Sequence, residues 1–123
     1  MGALRVLLVD DEEDLVSAMV ERLRLRGLAA DGALGGEAAL ACMAQKDYDV
    51  AVVDLKMPGL GGEELLRTIR KERPNTALVV ITGHGAAGEG ETMAIEGVHD
   101  YLMKPFDLEK LVQVMTEAVR ARS

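Results

Sequence analysis

Long hydrophobic runs are missing from this 123-residue sequence, and so are internal repeats, low-complexity segments and interdomain linkers. A membrane-spanning helix needs about 20 consecutive apolar residues, and no run approaches that length. The first apolar run leads into acidic residues rather than a small-residue cleavage site, so we expect no signal peptide and no membrane association. Since 49% of the residues are hydrophobic, we expect one compact domain over residues 1–123.

Cysteine and positive charge are also scarce. The single cysteine, Cys42, cannot form an internal disulfide, which favours a cytoplasmic location. The 14 Lys and Arg residues are outnumbered by 21 Asp and Glu residues, which gives a formal net charge of −7. A domain this acidic has no electrostatic means of holding a nucleic acid by itself. Five of the acids are consecutive, Asp10 to Asp14, and directly follow an apolar segment.

Short apolar segments alternate with amphipathic segments along the whole chain. The predicted strands are Leu4–Val9, Leu28–Asp31, Val50–Val53, Leu78–Thr82 and Asp100–Met103. The predicted helices are Glu12–Arg26, Gly36–Lys46, Gly62–Glu72, a weak helix over 86–97 that contains two glycines, and a last helix capped by Asp107. Five strands alternating with five helices predict a parallel sheet covered on both faces. We expect a doubly wound, flavodoxin-like α/β fold with strand order 2-1-3-4-5.

Polar residues follow four of the predicted strands. Asp10 and Asp11 follow the first strand, Asp54 the third, Thr82 ends the fourth, and Lys104 follows the fifth. Ligands of such sheets bind beyond the carboxyl ends of the strands, so these side chains should meet at one edge. Two carboxylates about 4 Å apart repel by roughly 1 kcal/mol in water and about 4 kcal/mol at an effective dielectric near 20. Lys104 and a divalent cation would offset this repulsion, and oxygen ligands favour Mg²⁺.

The same group of residues suits phosphoryl transfer, which needs an acceptor oxygen, a metal and positioned donors. Asp54 is the candidate nucleophile that would form an aspartyl phosphate. Asp10 and Asp11 would hold the metal, while Lys104 and the Thr82 hydroxyl would each contact a phosphoryl oxygen. Each residue alone could equally be a helix cap or a turn residue. Their joint appearance at successive strand ends favours a functional site.

The chain resembles, over its whole length, the receiver domains of two-component response regulators. The motifs that carry the resemblance are Val9-Asp10-Asp11-Glu12, Asp54-Leu55-Lys56-Met57-Pro58-Gly59, Thr82-Gly83 and Asp100-Tyr101-Leu102-Met103-Lys104-Pro105-Phe106. The resemblance implies that Asp54 accepts a phosphoryl group from the phosphohistidine of a histidine kinase or a phosphotransfer protein. It also implies that the domain is not an enzyme for outside substrates, and that it switches conformation to control an effector or an output domain.

The resemblance further implies roles for individual residues. The backbone carbonyl of Lys56 would complete the metal site, and Tyr101 would be an aromatic switch coupled to Thr82. The Lys104-Pro105 bond is expected to be cis. Lys56 and His84 would flank the path of hydrolytic water, and because neither orients water well, we predict a long-lived phosphoryl group.

Two further expectations concern the helices. Family members often pair on phosphorylation through the fourth helix, the fifth strand and the fifth helix, so a phosphorylation-dependent homodimer is predicted. Val114 and Ala118 of the last helix are interpreted as apolar surface beyond its core stripe. Because interior glycines and missing caps weaken a helix, the segment 86–97 is predicted to be the softest helix and part of the switch.

The sequence departs from the family at two places and leaves other functions to compare. Gly61 and Ala86 stand where relatives often carry an acid. Thr82-Gly83-His84-Gly85 resembles the subgroup that controls enhancer-binding transcription activators. A phosphatase with an aspartyl-phosphate intermediate would need an acid at Lys56 and a cap domain. A flavin or nucleotide module would need a glycine-rich loop after the first strand. A receiver-like domain without the chemistry is disfavoured because every site position is filled.

Overall fold

The computed structural model of the chain describes residues 3–83 and 95–122. The strands are β1 (Arg5–Val9), β2 (Ala29–Ala33), β3 (Val50–Asp54), β4 (Ala77–Thr82) and β5 (Asp100–Met103). The helices are α1 (Glu13–Leu25), α2 (Gly36–Gln45), α3 (Gly62–Glu72) and α4 (Leu108–Arg122). The largest difference from the sequence prediction is at β2, which extends to Ala33 because all five of its residues pair with β1.

The five strands form one parallel sheet in the order β2-β1-β3-β4-β5. This is the predicted order, so the flavodoxin-like α/β fold is confirmed. Every residue of β3 and β4, two of the three inner strands, is buried. Continuous apolar strands are expected when helices cover both faces of a parallel sheet. Four helices lie within the described residues. Most of the helix predicted over 86–97 lies outside them, as does His84, but residues 95–97 are described and are not helical.

Two apolar cores lie on opposite faces of the sheet. The first core packs the sheet against α1 and α4, and the second packs it against α2 and α3. Successive strand residues point to opposite faces, so Val6 and Leu8 of β1 enter the first core while Leu7 and Val9 enter the second. Because the strands are parallel, their carboxyl ends lie at one edge of the sheet, and packing on both faces fixes the strands there.

The prediction that Val114 and Ala118 form apolar surface on the last helix is wrong. Val114 and Ala118 are 1% and 0% exposed and belong to the first core, together with Leu111 and Met115. These four residues follow the helical spacing i, i+3, i+4, i+7, which defines a single buried face.

Within the residues that the structure describes, no helix combines the length and apolarity needed to cross a membrane.

Candidate functional site

The carboxyl edge of the sheet brings together the polar residues predicted from the sequence. Asp10 follows β1, Asp54 is the last residue of β3, and Thr82 is the last residue of β4. Asp54 pairs with Ile81, the residue before Thr82, so the two polar ends are adjacent. The Lys104 N–H donates a hydrogen bond of 2.9 Å to the Thr82 carbonyl, which fixes the segment after β5 beside the end of β4.

Three carboxylates form the centre of the site. One carboxylate oxygen from each of Asp10, Asp11 and Asp54 lies within 4.8 Å of the others. Asp10 is 0% exposed and Asp54 is 4% exposed, whereas Asp11 is exposed. The Glu12 N–H donates to Asp10 Oδ1 at 3.1 Å, and the Lys56 N–H donates to Asp54 Oδ1 at 3.3 Å. These bonds orient the two buried carboxylates, and Asp11 forms the exposed side of the cluster.

Lys104 supplies the positive charge that the sequence predicts. Its Nζ lies 2.9 Å from Asp10 Oδ2, 3.0 Å from Glu12 Oε1 and 3.5 Å from Asp54 Oδ2. Burial acts to lower the pKa of the Lys104 ammonium, but the hydrogen bonds to Asp10 and Glu12 and the charge of Asp54 outweigh it, so the pKa is raised. Lys104 is therefore protonated at any physiological pH.

Asp54 is electrostatically unusual. Burial is the largest cause that raises the pKa of its carboxyl group, and the negative charge of Asp10 raises it further. Lys104 and the Lys56 N–H act in the opposite direction without cancelling the first two effects, so the pKa of Asp54 is about 6. Burial of a carboxylate beside a like charge is a recurring feature of functional sites.

The donor set fits a hard divalent cation. Asp10 Oδ2 is buried, and among the described residues its one ion-pair partner is the Lys104 ammonium at 2.9 Å. Asp10 and Asp54 share the Lys104 ammonium with Glu12, and Asp11 adds a third carboxylate to the cluster, so negative charge is in excess. Oxygen ligands with room for water are what Mg²⁺ prefers. The cluster is compatible with Mg²⁺ bound by Asp10, Asp11 and Asp54.

The loop between β3 and α3 is shaped by glycine. Gly59 has a φ of +73°, a conformation that side chains rarely adopt. A Cβ atom on Gly62 would lie 2.3 Å from the Asp54 carbonyl oxygen, so only glycine lets α3 begin directly against the end of β3. Glu37 of α2 also holds this loop, because its Oε2 accepts a hydrogen bond of 3.3 Å from the Leu60 N–H. Lys56 is exposed within the loop.

Tyr101 lies on the same face of the sheet as Thr82. It pairs with Val80, two residues before Thr82, and alternate strand residues share a face. The ring is half-buried against the second core, and its hydroxyl oxygen accepts a hydrogen bond of 2.9 Å from the Ile95 N–H. The Lys104-Pro105 bond is cis, as expected.

Two contacts of the site were not predicted from the sequence. The first joins Glu12 to Lys104, which are 92 residues apart, and the second joins Ile95 to Tyr101. The acidic block at residues 10–14 signals that Glu12 lies near the site, but only the fold shows which cation it meets. His84, the other residue predicted to affect hydrolysis, lies outside the described residues.

Comparisons with known proteins agree with this geometry. The family model of the response regulator receiver domain matches residues 6–116. The C4-dicarboxylate transport transcriptional regulatory protein DctD of Rhizobium meliloti is 32% identical over 98% of this chain, which covers 26% of DctD. The chain spans between about a quarter and a half of the length of the first curated relatives that it matches.

Solved receiver structures show the same fold. A CheY-like receiver domain protein from Methanospirillum hungatei has a TM-score of 0.88 and 25% identity, with 98% of this chain and 97% of that chain covered. The response regulator TrrA from Thermotoga maritima, solved in complex with Mg²⁺ and beryllofluoride, has a TM-score of 0.81 and 27% identity, with coverage of 94% and 98%. This chain belongs to the response regulator receiver domain family of two-component signalling systems.

Proposed function

We propose that the domain accepts a phosphoryl group on Asp54, with Mg²⁺, from a phosphohistidine of a histidine kinase or a phosphotransfer protein. The observation that carries the proposal is the buried Asp54 carboxylate, which lies within 4.8 Å of ligand oxygens from Asp10 and Asp11 and 3.5 Å from the Lys104 ammonium. TrrA, which shares the fold, was solved with Mg²⁺ and a beryllofluoride group. Family membership and site geometry therefore support the same chemistry.

The reaction requires an ionised Asp54. Because the pKa of Asp54 is about 6, the carboxylate form predominates at neutral pH. An oxygen of Asp54 forms a bond to phosphorus as the phosphorus–nitrogen bond of the donor breaks, and the imidazole leaves with the electron pair. Mg²⁺ at the three carboxylates, and at the Lys56 backbone carbonyl, would neutralise phosphoryl oxygens. The Lys104 ammonium, 3.5 Å from Asp54 Oδ2, is close enough to reach a phosphoryl oxygen carried by Asp54.

The switch that follows is assigned to Thr82 and Tyr101. The Thr82 hydroxyl would donate to a second phosphoryl oxygen, and its movement would open space on the face that Tyr101 shares. Tyr101 would then leave the Ile95 N–H, which lies beside the segment 84–94. This route would couple the phosphoryl group on Asp54 to the contact between Tyr101 and Ile95, as a two-state switch requires.

The proposal also concerns the part that this domain plays in signalling. Residues 1–123 form one receiver domain that catalyses only its own phosphorylation and dephosphorylation. The domain controls a downstream effector or an output domain, as the larger transcriptional relatives suggest. It contacts no nucleic acid itself because its net charge is −7.

A cytoplasmic location and a homodimer formed on phosphorylation belong to the same proposal. Sedimentation with and without beryllofluoride tests the dimer, and an unchanged mass would count against it.

The chemistry is tested by intact-mass measurement after incubation with acetyl phosphate and Mg²⁺. The wild-type protein should gain one phosphoryl group, and a chelator should prevent the gain. Asp54→Asn should gain none, whereas Asp14→Asn, which removes an exposed acid outside the three-carboxylate cluster, should be labelled like the wild type. Equal labelling of Asp54→Asn and wild type would contradict the proposal.

A further inference from the structure

Glu12 stands at the start of α1, where a side chain ordinarily caps the helix. It is the N-cap residue of α1, yet it makes no side-chain capping hydrogen bond. Its backbone N–H is anchored on Asp10 Oδ1 at 3.1 Å, and its side chain extends across the site to Lys104, where Oε1 accepts a hydrogen bond of 3.0 Å. A glutamate is longer than the residues preferred as N-caps, and here the extra length reaches the ammonium.

The contacts with Glu12 and Asp10 hold the Lys104 ammonium away from Asp54, the carboxylate that would carry the phosphoryl group. Its Nζ is 3.0 Å from Glu12 and 2.9 Å from Asp10, but 3.5 Å from Asp54. The ammonium has three donors, and pairing with a phosphoryl oxygen on Asp54 would require it to leave at least one present partner. Asp10 is fully buried, whereas the Glu12 side chain is 61% exposed. Glu12 is therefore the partner that water can most readily replace.

We propose that Glu12 is a positioning residue that holds the Lys104 ammonium at the rim of the site and competes for it with the group bound to Asp54. This inference rests on the proposed function. Glu12 touches neither the phosphoryl group nor the cation in this scheme and acts only through Lys104. Its carboxylate sets how much of the Lys104 charge is available when Asp54 is modified.

Removing the Glu12 charge should raise the affinity of the protein for beryllofluoride in the presence of Mg²⁺. Glu12→Gln keeps the length of the side chain and should tighten the binding of beryllofluoride with Mg²⁺ by about two- to fivefold, the range expected for an exposed ion pair. Fluorine NMR titration of the bound beryllofluoride measures this affinity. A merely structural role for Glu12 predicts a loss of affinity or no change.

Two controls separate competition for Lys104 from a general effect of charge. Glu13→Gln removes the same charge from the next residue, which is exposed and is not part of the site, and should change the affinity by much less. In a Lys104→Met background, Glu12→Gln should no longer increase the affinity. In the metal-free protein, the NMR signal of the Lys104 ammonium should shift with Glu12→Gln and stay in place with Glu13→Gln.

The outcomes distinguish this inference from the proposed function. Equal gains for the two glutamine variants, or a gain that persists without Lys104, would overturn the role of Glu12 alone. An ammonium signal that does not respond to Glu12→Gln would overturn it as well. A wild-type protein that binds no beryllofluoride in the presence of Mg²⁺ would overturn the proposed function and this inference together.

Discussion

Replacing Asp54 with asparagine should stabilise the metal-free protein. Asp54 is 4% exposed and its carboxyl group lies beside Asp10, and these two features raise its pKa from 3.8 to about 6. At about 1.36 kcal/mol per pKa unit, the ionised carboxylate opposes folding by roughly 3 kcal/mol at neutral pH. Asparagine has nearly the same shape and no charge, and the loss of the 3.5 Å ion pair with Lys104 is already included in the net pKa shift. We therefore expect a net gain of about 1–3 kcal/mol in the free energy of unfolding.

The pH dependence of this gain has a defined sign. The pKa of Asp54 is higher in the folded protein than in the unfolded chain, so the protonated carboxyl group favours the folded state. Its contribution is fully present below about pH 4, the unfolded pKa, and is lost as the pH rises through about 6. The two proteins should therefore differ little near pH 4, and the advantage of Asp54→Asn should grow until it levels off above about pH 7.

Urea denaturation in the presence of a chelator, repeated from pH 4 to pH 8, measures the difference. Asp11→Asn serves as a matched control, because it removes an exposed carboxylate from the same cluster and should produce a smaller gain. Added Mg²⁺ should reduce the advantage of Asp54→Asn, since the cation stabilises only the ionised cluster. A wild-type protein as stable as Asp54→Asn at pH 7.5 without metal would refute the reasoning.

Three further predictions follow from the same structure. Mg²⁺ at a hundredfold excess over its dissociation constant should stabilise the wild type by about 2.7 kcal/mol, and should stabilise Asp54→Asn much less; equal shifts in thermal unfolding would exclude Asp54 as a ligand. Gly62→Ala should cost about 1–3 kcal/mol, because the new Cβ meets backbone, whereas Gly61→Ala, with nothing within 4 Å of its Cβ, should be nearly neutral in urea denaturation. The double variant Lys56→Asn/His84→Glu should lose its phosphoryl group faster than the wild type, and an unchanged decay rate would contradict the predicted role of these residues in hydrolysis.

The sheet was predictable because each strand is short, apolar and separated from the next by an amphipathic segment. Val50–Asp54 and Ala77–Thr82 are buried at every position, so their sequences contain almost no polar residue until the strand ends. A polar residue that ends or directly follows β1, β3, β4 and β5 then marks the carboxyl edge. This is why the sequence predicts the fold and the meeting of Asp10, Asp54 and Lys104.

The remaining features depend on side-chain directions and distant contacts. Val114 and Ala118 were assigned to the wrong face because eight apolar or small residues on one helix allow more than one apolar stripe, and only packing against the sheet selects the buried one. The contact of Glu12 with Lys104 depends on how the start of α1 faces the end of β5. The pKa of Asp54 depends on burial and on the distance to Asp10, and neither is encoded in residue spacing.

The central claim is that Asp54, and neither of its two neighbouring acids, carries the phosphoryl group. Reduction of the phosphorylated protein with borohydride converts an aspartyl phosphate to homoserine, and peptide mass mapping then identifies the position. We expect homoserine at Asp54 only, and only when Mg²⁺ and a phosphodonor were both present. Homoserine at Asp10 or Asp11, or modification that is independent of Mg²⁺, would contradict the account.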